Sequence, residues 1–299
     1  MTASSACDGP AVESECADPD RTWFDRVTAV PPGKGEIVVD GARIAYRVWG
    51  EDGDRAVVLV HGSAAHSRWW DHLAPWLATN RRVFALDLSG HGDSDHRDSY
   101  SRAQWVAEVM AVAQASGPRP IVIGHSLGGF VVLDAAACHG AELGGVVVVD
   151  SPVKDSHAQT LPLRERARRP HRIHASADEL ADRFTALPQS RPIAPHLERY
   201  VGRESVRRRE NGYSWHFDPK IFECTPMLID EVLPTSCPVA VVRAEHGSLD
   251  AAMCRRLVER LGPRAVAFDI PDCGHSLMLE RPLALVSALS ALVTWWSTN

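Results

Sequence analysis

Apolar residues along the chain alternate between strand-like and helix-like spacing. An early pair of segments, Glu36–Val39 and Arg43–Trp49, flanks Asp40–Gly41, a dipeptide that favours a tight hairpin turn. Short apolar runs without internal alternation follow, a pattern typical of strands covered on both faces in a parallel sheet. These runs are Ala56–Val60, Val83–Leu86, Ile121–Ile123, Val146–Val149, Val239–Val242 and Ala265–Ile270.

Four stretches with a helical composition or spacing lie between and after these runs. They are His66–Ala78, Ser101–Ser116, Leu127–His139 and Arg281–Trp296. Ser101 is a suitable N-cap for the second stretch, because its hydroxyl can accept a hydrogen bond from the first helical turn. Strands that alternate with helices after an antiparallel hairpin predict an α/β fold whose sheet has an antiparallel edge.

The segment from residue 152 to 234 breaks this alternation. It has arginine clusters, scattered prolines and amphipathic pieces but no strong strand run, and it is too long for a simple connection. We therefore predict a helical lid at 152–234, inserted into a core made of residues 31–151 and 235–299. Residues 1–30, which begin with many small and acidic residues, are predicted to be a flexible tail.

Charge and composition narrow the class of protein. The formal net charge of −6 argues against a nucleic-acid partner, and no apolar run is long enough for a membrane span. The start of the chain lacks the basic and apolar regions of a secretory signal. Seven scattered cysteines without a C-x-x-C pair favour reduced thiols in a cytoplasmic protein over a zinc site, with a Cys7–Cys16 bridge as the alternative. Oligomeric state is not indicated.

The strongest chemical signal is the G-x-S-x-G motif within Gly124–Gly129. It lies between an apolar run and a helical stretch, so Ser126 is predicted to occupy a sharp strand-to-helix turn. The start of the following helix would point the N–H of Leu127 toward a developing oxyanion. A second loop, His61–His66, also follows a strand, and the N–H of Ser63 is predicted to be the other oxyanion donor.

A serine hydroxyl needs a base within hydrogen-bonding reach. Of 14 histidines, His275 alone lies in a glycine-containing loop between the last strand and the last helix, so we predict that it is the base. His61 and His125 are interpreted as structural neighbours of the two motifs.

Four motifs in this order, HGSAAHSRWW, DLSGHGDS, GHSLGG and DCGHS, resemble those of the α/β-hydrolase superfamily. The resemblance covers roughly residues 36–150 and 235–297. It implies a mostly parallel eight-stranded sheet with helices on both faces, a Ser-His-acid triad, and a lid inserted after the sixth strand.

The acid departs from the family's usual pattern. The loop after the seventh strand normally has Gly-Glu-x-Asp, whereas this chain reads Ala244-Glu245-His246-Gly247. Some members of the superfamily instead have the acid at the end of the sixth strand, where Asp150 stands here. We favour Asp150 as the residue that orients His275, with Asp250 and Glu245 as alternatives.

These residues predict a serine hydrolase that cleaves a carboxylic ester or related acyl bond of a small, apolar substrate. Neither a metal nor an organic cofactor is required. The alternatives are a carbon–carbon bond hydrolase, a cofactor-independent oxygenase or perhydrolase, and a non-catalytic small-ligand binder. Four aromatic residues are candidates for the substrate pocket: Trp69, Trp70, Trp215 and Phe217.

Overall fold

The computed structural model describes residues 19–156, 165, 169–224 and 226–298. Its strands are β1 Gly33–Val39, β2 Ala42–Trp49, β3 Val57–Val60, β4 Val83–Leu86, β5 Ile121–His125, β6 Gly145–Val149, β7 Val206–Arg209, β8 Gly212–Trp215, β9 Val239–Ala244 and β10 Ala265–Ile270. Its α-helices are α1 Pro19–Thr28, α2 Ala74–Leu77, α3 Arg102–Ser116, α4 Leu127–His139, α5 Ala177–Ala181, α6 Pro195–Glu204, α7 Ala251–Leu261, α8 Leu277–Glu280 and α9 Pro282–Thr298.

Eight strands form one sheet in the order β1-β2-β4-β3-β5-β6-β9-β10. Strand β2 runs antiparallel to both of its neighbours, β1 and β4. The remaining neighbours in this sheet, in the order β4-β3-β5-β6-β9-β10, are parallel to one another. The predicted α/β fold with an antiparallel edge is therefore confirmed. Because β5 is flanked by β3 and β6, a residue that follows β5 emerges near the middle of the sheet at its carboxyl edge.

Both faces of the sheet are buried at the central strands β3, β4, β5, β6 and β9, which explains why those apolar runs do not alternate, whereas the edge strands β1 and β10 are largely exposed. Val58 and Val122 belong to a core packed against α3 and α4, whereas Leu59 and Ile123 belong to a second core packed against α2 and α9. Apolar side chains on both faces are what a parallel sheet between two helical layers requires.

Helix α3 agrees closely with the sequence prediction, since Ser101 caps it by accepting a hydrogen bond from the N–H of Gln104. The helix predicted at His66–Ala78 is divided instead into a 3₁₀ turn, Ser67–Trp70, and the short α2. Pro75 lies in the first turn of α2, where its missing N–H is tolerated, but it could not lie inside a continuous helix.

Residues 152–234, hereafter the inserted segment, connect β6 to β9. Their described part contains α5, α6 and the antiparallel hairpin β7–β8, so the segment predicted to be a helical lid contains two strands that the sequence analysis did not predict. Its strands are not apolar, which hid them from a search for hydrophobic runs. The turn of this hairpin consists of Glu210 and Asn211, since Arg209 pairs with Gly212.

The predicted tail at residues 1–30 also needs correction. Residues 1–18, including Cys7 and Cys16, lie outside the described residues, but α1 is helical and buries Phe24. The ring of Phe24 lies 5.1 Å from that of His196 and 5.4 Å from that of Tyr200, both on α6. Aromatic packing against the inserted segment therefore holds α1 in place.

Within the described part of the chain, no helix combines the length and apolar character needed to cross a bilayer. The described cysteines, Cys138, Cys224, Cys237, Cys254 and Cys273, are free thiols.

Candidate active site

Ser126 occupies the turn between β5 and α4. Its backbone has φ 53° and ψ −114°, a conformation that L-residues rarely adopt. The flanking glycines make this turn possible: a Cβ on Gly124 would lie 2.3 Å from the carbonyl oxygen of Gly128, and a Cβ on Gly128 would lie 2.6 Å from that of Val60. The turn thus presents the serine hydroxyl at the carboxyl edge of the sheet.

His275 lies in the loop between β10 and α8 and bridges two of the predicted site residues. Its Nε2 is 3.0 Å from the Oγ of Ser126, and its Nδ1 is 2.7 Å from the Oδ2 of Asp150. Its side chain is 13% exposed, while that of Asp150 is fully buried. The structure therefore brings Ser126, His275 and Asp150 into one continuous hydrogen-bonded chain.

Asp150 directly follows β6 and has φ 42°. Its Oδ1 accepts hydrogen bonds from the N–H groups of Ala244 (3.2 Å) and Leu249 (3.4 Å), and its Oδ2 accepts one from Ser248 (2.7 Å). Gly247 lies directly against this carboxylate, since a Cβ on it would be 2.3 Å from Oδ2. Three backbone donors and His275 hold the carboxylate in one orientation.

The two alternative acids have other partners. Asp250 caps α7 by accepting a hydrogen bond from the N–H of Met253 at 2.9 Å. Glu245 accepts one from the N–H of Asp272 at 2.8 Å, and its side chain is 47% exposed. Neither carboxylate makes a hydrogen bond to His275 within the described residues.

The predicted oxyanion donors border the same serine. The loop after β3 passes against it, since a Cβ on Gly62 would lie 3.1 Å from the Cβ of Ser126, and Ser63 is the next residue of this loop. Leu127 is the first residue of α4, where backbone N–H groups have no partner within the helix. Leu127 directly follows Ser126, and the loop that contains Ser63 contacts it, so their N–H groups stay the predicted oxyanion donors.

His125 makes a hydrogen bond to the loop that contains His275. Its Nε2–H donates to the backbone carbonyl of His275 at 2.9 Å, and the two rings are 4.7 Å apart. Burial lowers the pKa of His125 to about 3, so the ring is neutral. Sequence analysis missed this contact, because the motif gives no indication that its second residue reaches the loop of the base.

His61 supports the neighbouring loop. Its Nε2 accepts a hydrogen bond from the N–H of Leu88 at 3.1 Å, while its Nδ1–H donates to the carbonyl of Gly62 at 2.8 Å. Burial lowers the pKa of His61 as well, which favours the neutral ring that this donor and acceptor pattern requires.

The candidate pocket residues lie in two places. Trp70 has no exposed surface and packs in the core beside the sheet, so in this conformation it cannot contact a substrate. Trp69 is 8% exposed and meets Phe184 of the inserted segment edge-to-face at 5.7 Å. Trp215 and Phe217 line a cleft of about 470 Å³ in which Ser126, His275 and Asp150 are not among the described lining residues.

Residues 57–289 match the model of the alpha/beta hydrolase family. A pimeloyl-[acyl-carrier protein] methyl ester esterase of Edwardsiella ictaluri is 34% identical over 79% of this chain and 92% of its own length. Lipase LipV of Mycobacterium tuberculosis is 25% identical over 81% of this chain and 94% of its own length.

The fold is also similar to that of solved structures. The thioesterase domain from the curacin biosynthetic pathway has a TM-score of 0.73 at 20% sequence identity, covering 89% of this chain and 100% of that domain. At this identity the likeness concerns the fold alone. The match to the family model over most of the chain, together with the relative at 34% identity, carries the assignment. This chain belongs to the α/β-hydrolase family.

Proposed function

We propose that this protein is a serine hydrolase that cleaves a carboxylic ester or related acyl bond of a small, apolar substrate. The observation that carries the proposal is the chain of contacts from Ser126 through His275 to Asp150, at 3.0 and 2.7 Å. Relatives named as lipases and esterases support ester hydrolysis over the carbon–carbon and oxygenase alternatives.

In the first half of the reaction, Ser126 Oγ attacks the carbonyl carbon of the substrate while Nε2 of His275 takes the hydroxyl proton. Asp150 accepts the Nδ1–H bond, which fixes the tautomer of His275 and stabilises the imidazolium that forms. The N–H groups of Ser63 and Leu127 donate to the oxyanion. The intermediate then collapses, and the imidazolium gives its proton to the departing alcohol.

In the second half, His275 takes a proton from a water molecule that attacks the acyl-enzyme. The carbon–oxygen bond to Ser126 breaks, the proton returns to Oγ, and the carboxylic acid leaves. The inserted segment is proposed to act as a lid over this centre. Excluding bulk water would strengthen the hydrogen bonds to the oxyanion.

A fluorophosphonate probe tests the proposal, with mass spectrometry to map the modified residue and hydrolysis of p-nitrophenyl butyrate as the parallel assay. We expect stoichiometric modification at Ser126 in folded protein and none after denaturation. His275→Ala removes the base and should abolish both labelling and hydrolysis. Folded wild-type protein whose Ser126 stays unlabelled, and which does not cleave the ester, would contradict the proposal.

A further inference from the structure

Glu280, the last residue of α8, is a buried carboxylate with partners in two separate parts of the chain. It is 5% exposed. Its Oε2 accepts a hydrogen bond from the N–H of Gly274 at 2.8 Å. The same oxygen accepts from Ser190, through the N–H at 3.1 Å and the hydroxyl at 2.9 Å, and from the N–H of Arg191 at 3.2 Å. One carboxylate oxygen thus joins the loop of His275 to the inserted segment.

On the side of the loop, the contact lies one residue from the base. Gly274 precedes His275, and it approaches Glu280 so closely that a Cβ on Gly274 would be 2.8 Å from Oε1. The preceding residues of α8, Leu277–Leu279, are buried in the core, which fixes the position of Glu280. A charge-assisted hydrogen bond from this fixed point restrains the backbone next to His275.

On the side of the inserted segment, the carboxylate has most of its donors. Three of its four hydrogen bonds come from Ser190 and Arg191. The guanidinium of Arg191 adds a second link to the same loop through Asp272, at 2.9 Å. If the inserted segment moved away, Glu280 would lose these three donors, and a buried carboxylate without them is costly.

We infer that Glu280 is a positioning residue that couples docking of the inserted segment to the placement of His275. The inference rests on the proposed function. With the segment docked, Glu280 is held by four hydrogen bonds and restrains Gly274. The neighbouring His275 then keeps its Nε2 at 3.0 Å from the Oγ of Ser126. With the segment displaced, Glu280 turns toward water and the loop of the base loosens. The base is then correctly placed only while the site is covered.

Three variants test the inference. Glu280→Leu keeps the approximate size of the side chain and removes all four hydrogen bonds, whereas glutamine could keep them by placing its amide oxygen at the position of Oε2. Ser190→Ala removes only the hydroxyl contact with Glu280, on the side of the segment, and leaves the backbone donors in place. Glu108→Leu is the matched control, because Glu108 is also a buried carboxylate and accepts hydrogen bonds from the N–H of Ser89 at 2.8 Å and from Arg97, neither of which belongs to the inserted segment or to the loop of His275.

The measurements are the rate of fluorophosphonate labelling at Ser126, kcat and KM for p-nitrophenyl acetate, and Tm. Loss of precise placement lowers kcat, so Glu280→Leu should reduce kcat and the labelling rate by about 10- to 100-fold with KM within about twofold. Ser190→Ala should reduce both rates by about threefold, through the loss of one of the four hydrogen bonds to Glu280. Glu108→Leu should lower Tm and leave kcat of the folded enzyme unchanged.

Wild-type rates in folded Glu280→Leu, with a loss of Tm like that of Glu108→Leu, would mean that Glu280 is only structural and would overturn the inference. If Glu280→Leu did not fold, Ser190→Ala would decide, because wild-type labelling there would exclude the coupling. Failure of the proposed function is a different result: wild-type protein itself would then remain unlabelled.

Discussion

Replacing Asp150 by asparagine tests the assignment of the acid with almost no change in shape. Asparagine must place either its oxygen or its NH₂ group at each carboxylate position. If the NH₂ replaces Oδ2, it faces the N–H of Ser248 and Nδ1 of His275. If it replaces Oδ1, it faces the N–H groups of Ala244 and Leu249. The second choice opposes two fixed backbone donors, so the first is favoured.

In the favoured orientation the NH₂ group donates to Nδ1, which forces the proton of His275 onto Nε2. The ring then presents an N–H to Ser126 Oγ and cannot take its proton. A wrong tautomer of this kind costs about 10⁴-fold in kcat in a Ser-His-Asp triad. The N–H of Ser248 also loses its acceptor, which should lower the free energy of unfolding by about 1–3 kcal/mol.

The assay is steady-state hydrolysis of p-nitrophenyl butyrate with urea unfolding of the same samples. Asp250→Asn and Glu245→Gln are the matched controls. Each removes a carboxylate in the loop after β9, and neither carboxylate makes a hydrogen bond to His275. We expect kcat within about twofold of wild type for Glu245→Gln. Asp250→Asn should behave likewise, since asparagine is as good an N-cap as aspartate.

Two results would refute this reasoning. If Asp150→Asn kept more than about a tenth of the wild-type kcat, Asp150 would not control the tautomer of His275. If Asp250→Asn or Glu245→Gln lost activity to the extent expected for Asp150→Asn, the acid would lie after β9 and the contact of Asp150 with His275 would not be the working one.

Three further predictions concern stability and packing. Gly247→Ala should lower kcat at least about tenfold, because its Cβ would displace the Asp150 carboxylate that now lies 2.3 Å from that position; a wild-type kcat would contradict this. The pKa of His72 is lowered by burial from 6.5 to about 4, so the unfolded chain binds a proton between these values that the folded chain does not. The free energy of unfolding should therefore fall as the pH is lowered through this window. In urea titrations at several pH values, His72→Gln should make this fall smaller by about 1 kcal/mol per pH unit. An unchanged pH dependence in His72→Gln would contradict the prediction. Phe24→Ala should lower the free energy of unfolding by about 3 kcal/mol in urea, since Phe24 is 6% exposed, and a loss below about 1 kcal/mol would show that α1 contributes little.

The central strands and the helices α3, α4 and α9 could be predicted, because both faces of those strands are buried between helical layers, whereas helix α7 was not predicted. Continuous apolar runs such as Val146–Val149 have one structural interpretation once helices separate them, and the structure extends this run by only one residue, Gly145. The hairpin β7–β8 could not be found in this way. Arg207, Arg208 and Arg209 occupy most of β7, and a strand held by its turn and by a partner in a two-stranded sheet needs no apolar run.

The contacts of Glu280 were equally hidden from sequence reasoning. Its partners Ser190 and Arg191 are about 90 residues away, in a segment without a recognisable motif. A glutamate at the end of a short helix is ordinarily interpreted as solvated surface. Only the packing of α8 into the core, which buries the side chain, makes it a junction between two parts of the chain.

The acid is where sequence and structure together say more than either alone. In the sequence, Gly247 stands where the family usually has an aspartate, so Asp150, Asp250 and Glu245 all remained candidates for the acid of the triad. In the structure, Gly247 lies against the Asp150 carboxylate, and any side chain there would occupy the space of Oδ1 and Oδ2. An acid at the end of β6, held as Asp150 is, and an acid at position 247 therefore exclude one another. The glycine follows from the use of Asp150, because the loop must approach closely enough for Ser248 and Leu249 to donate to that carboxylate. Changing position 247 alone should thus damage the site rather than add a second acid to it.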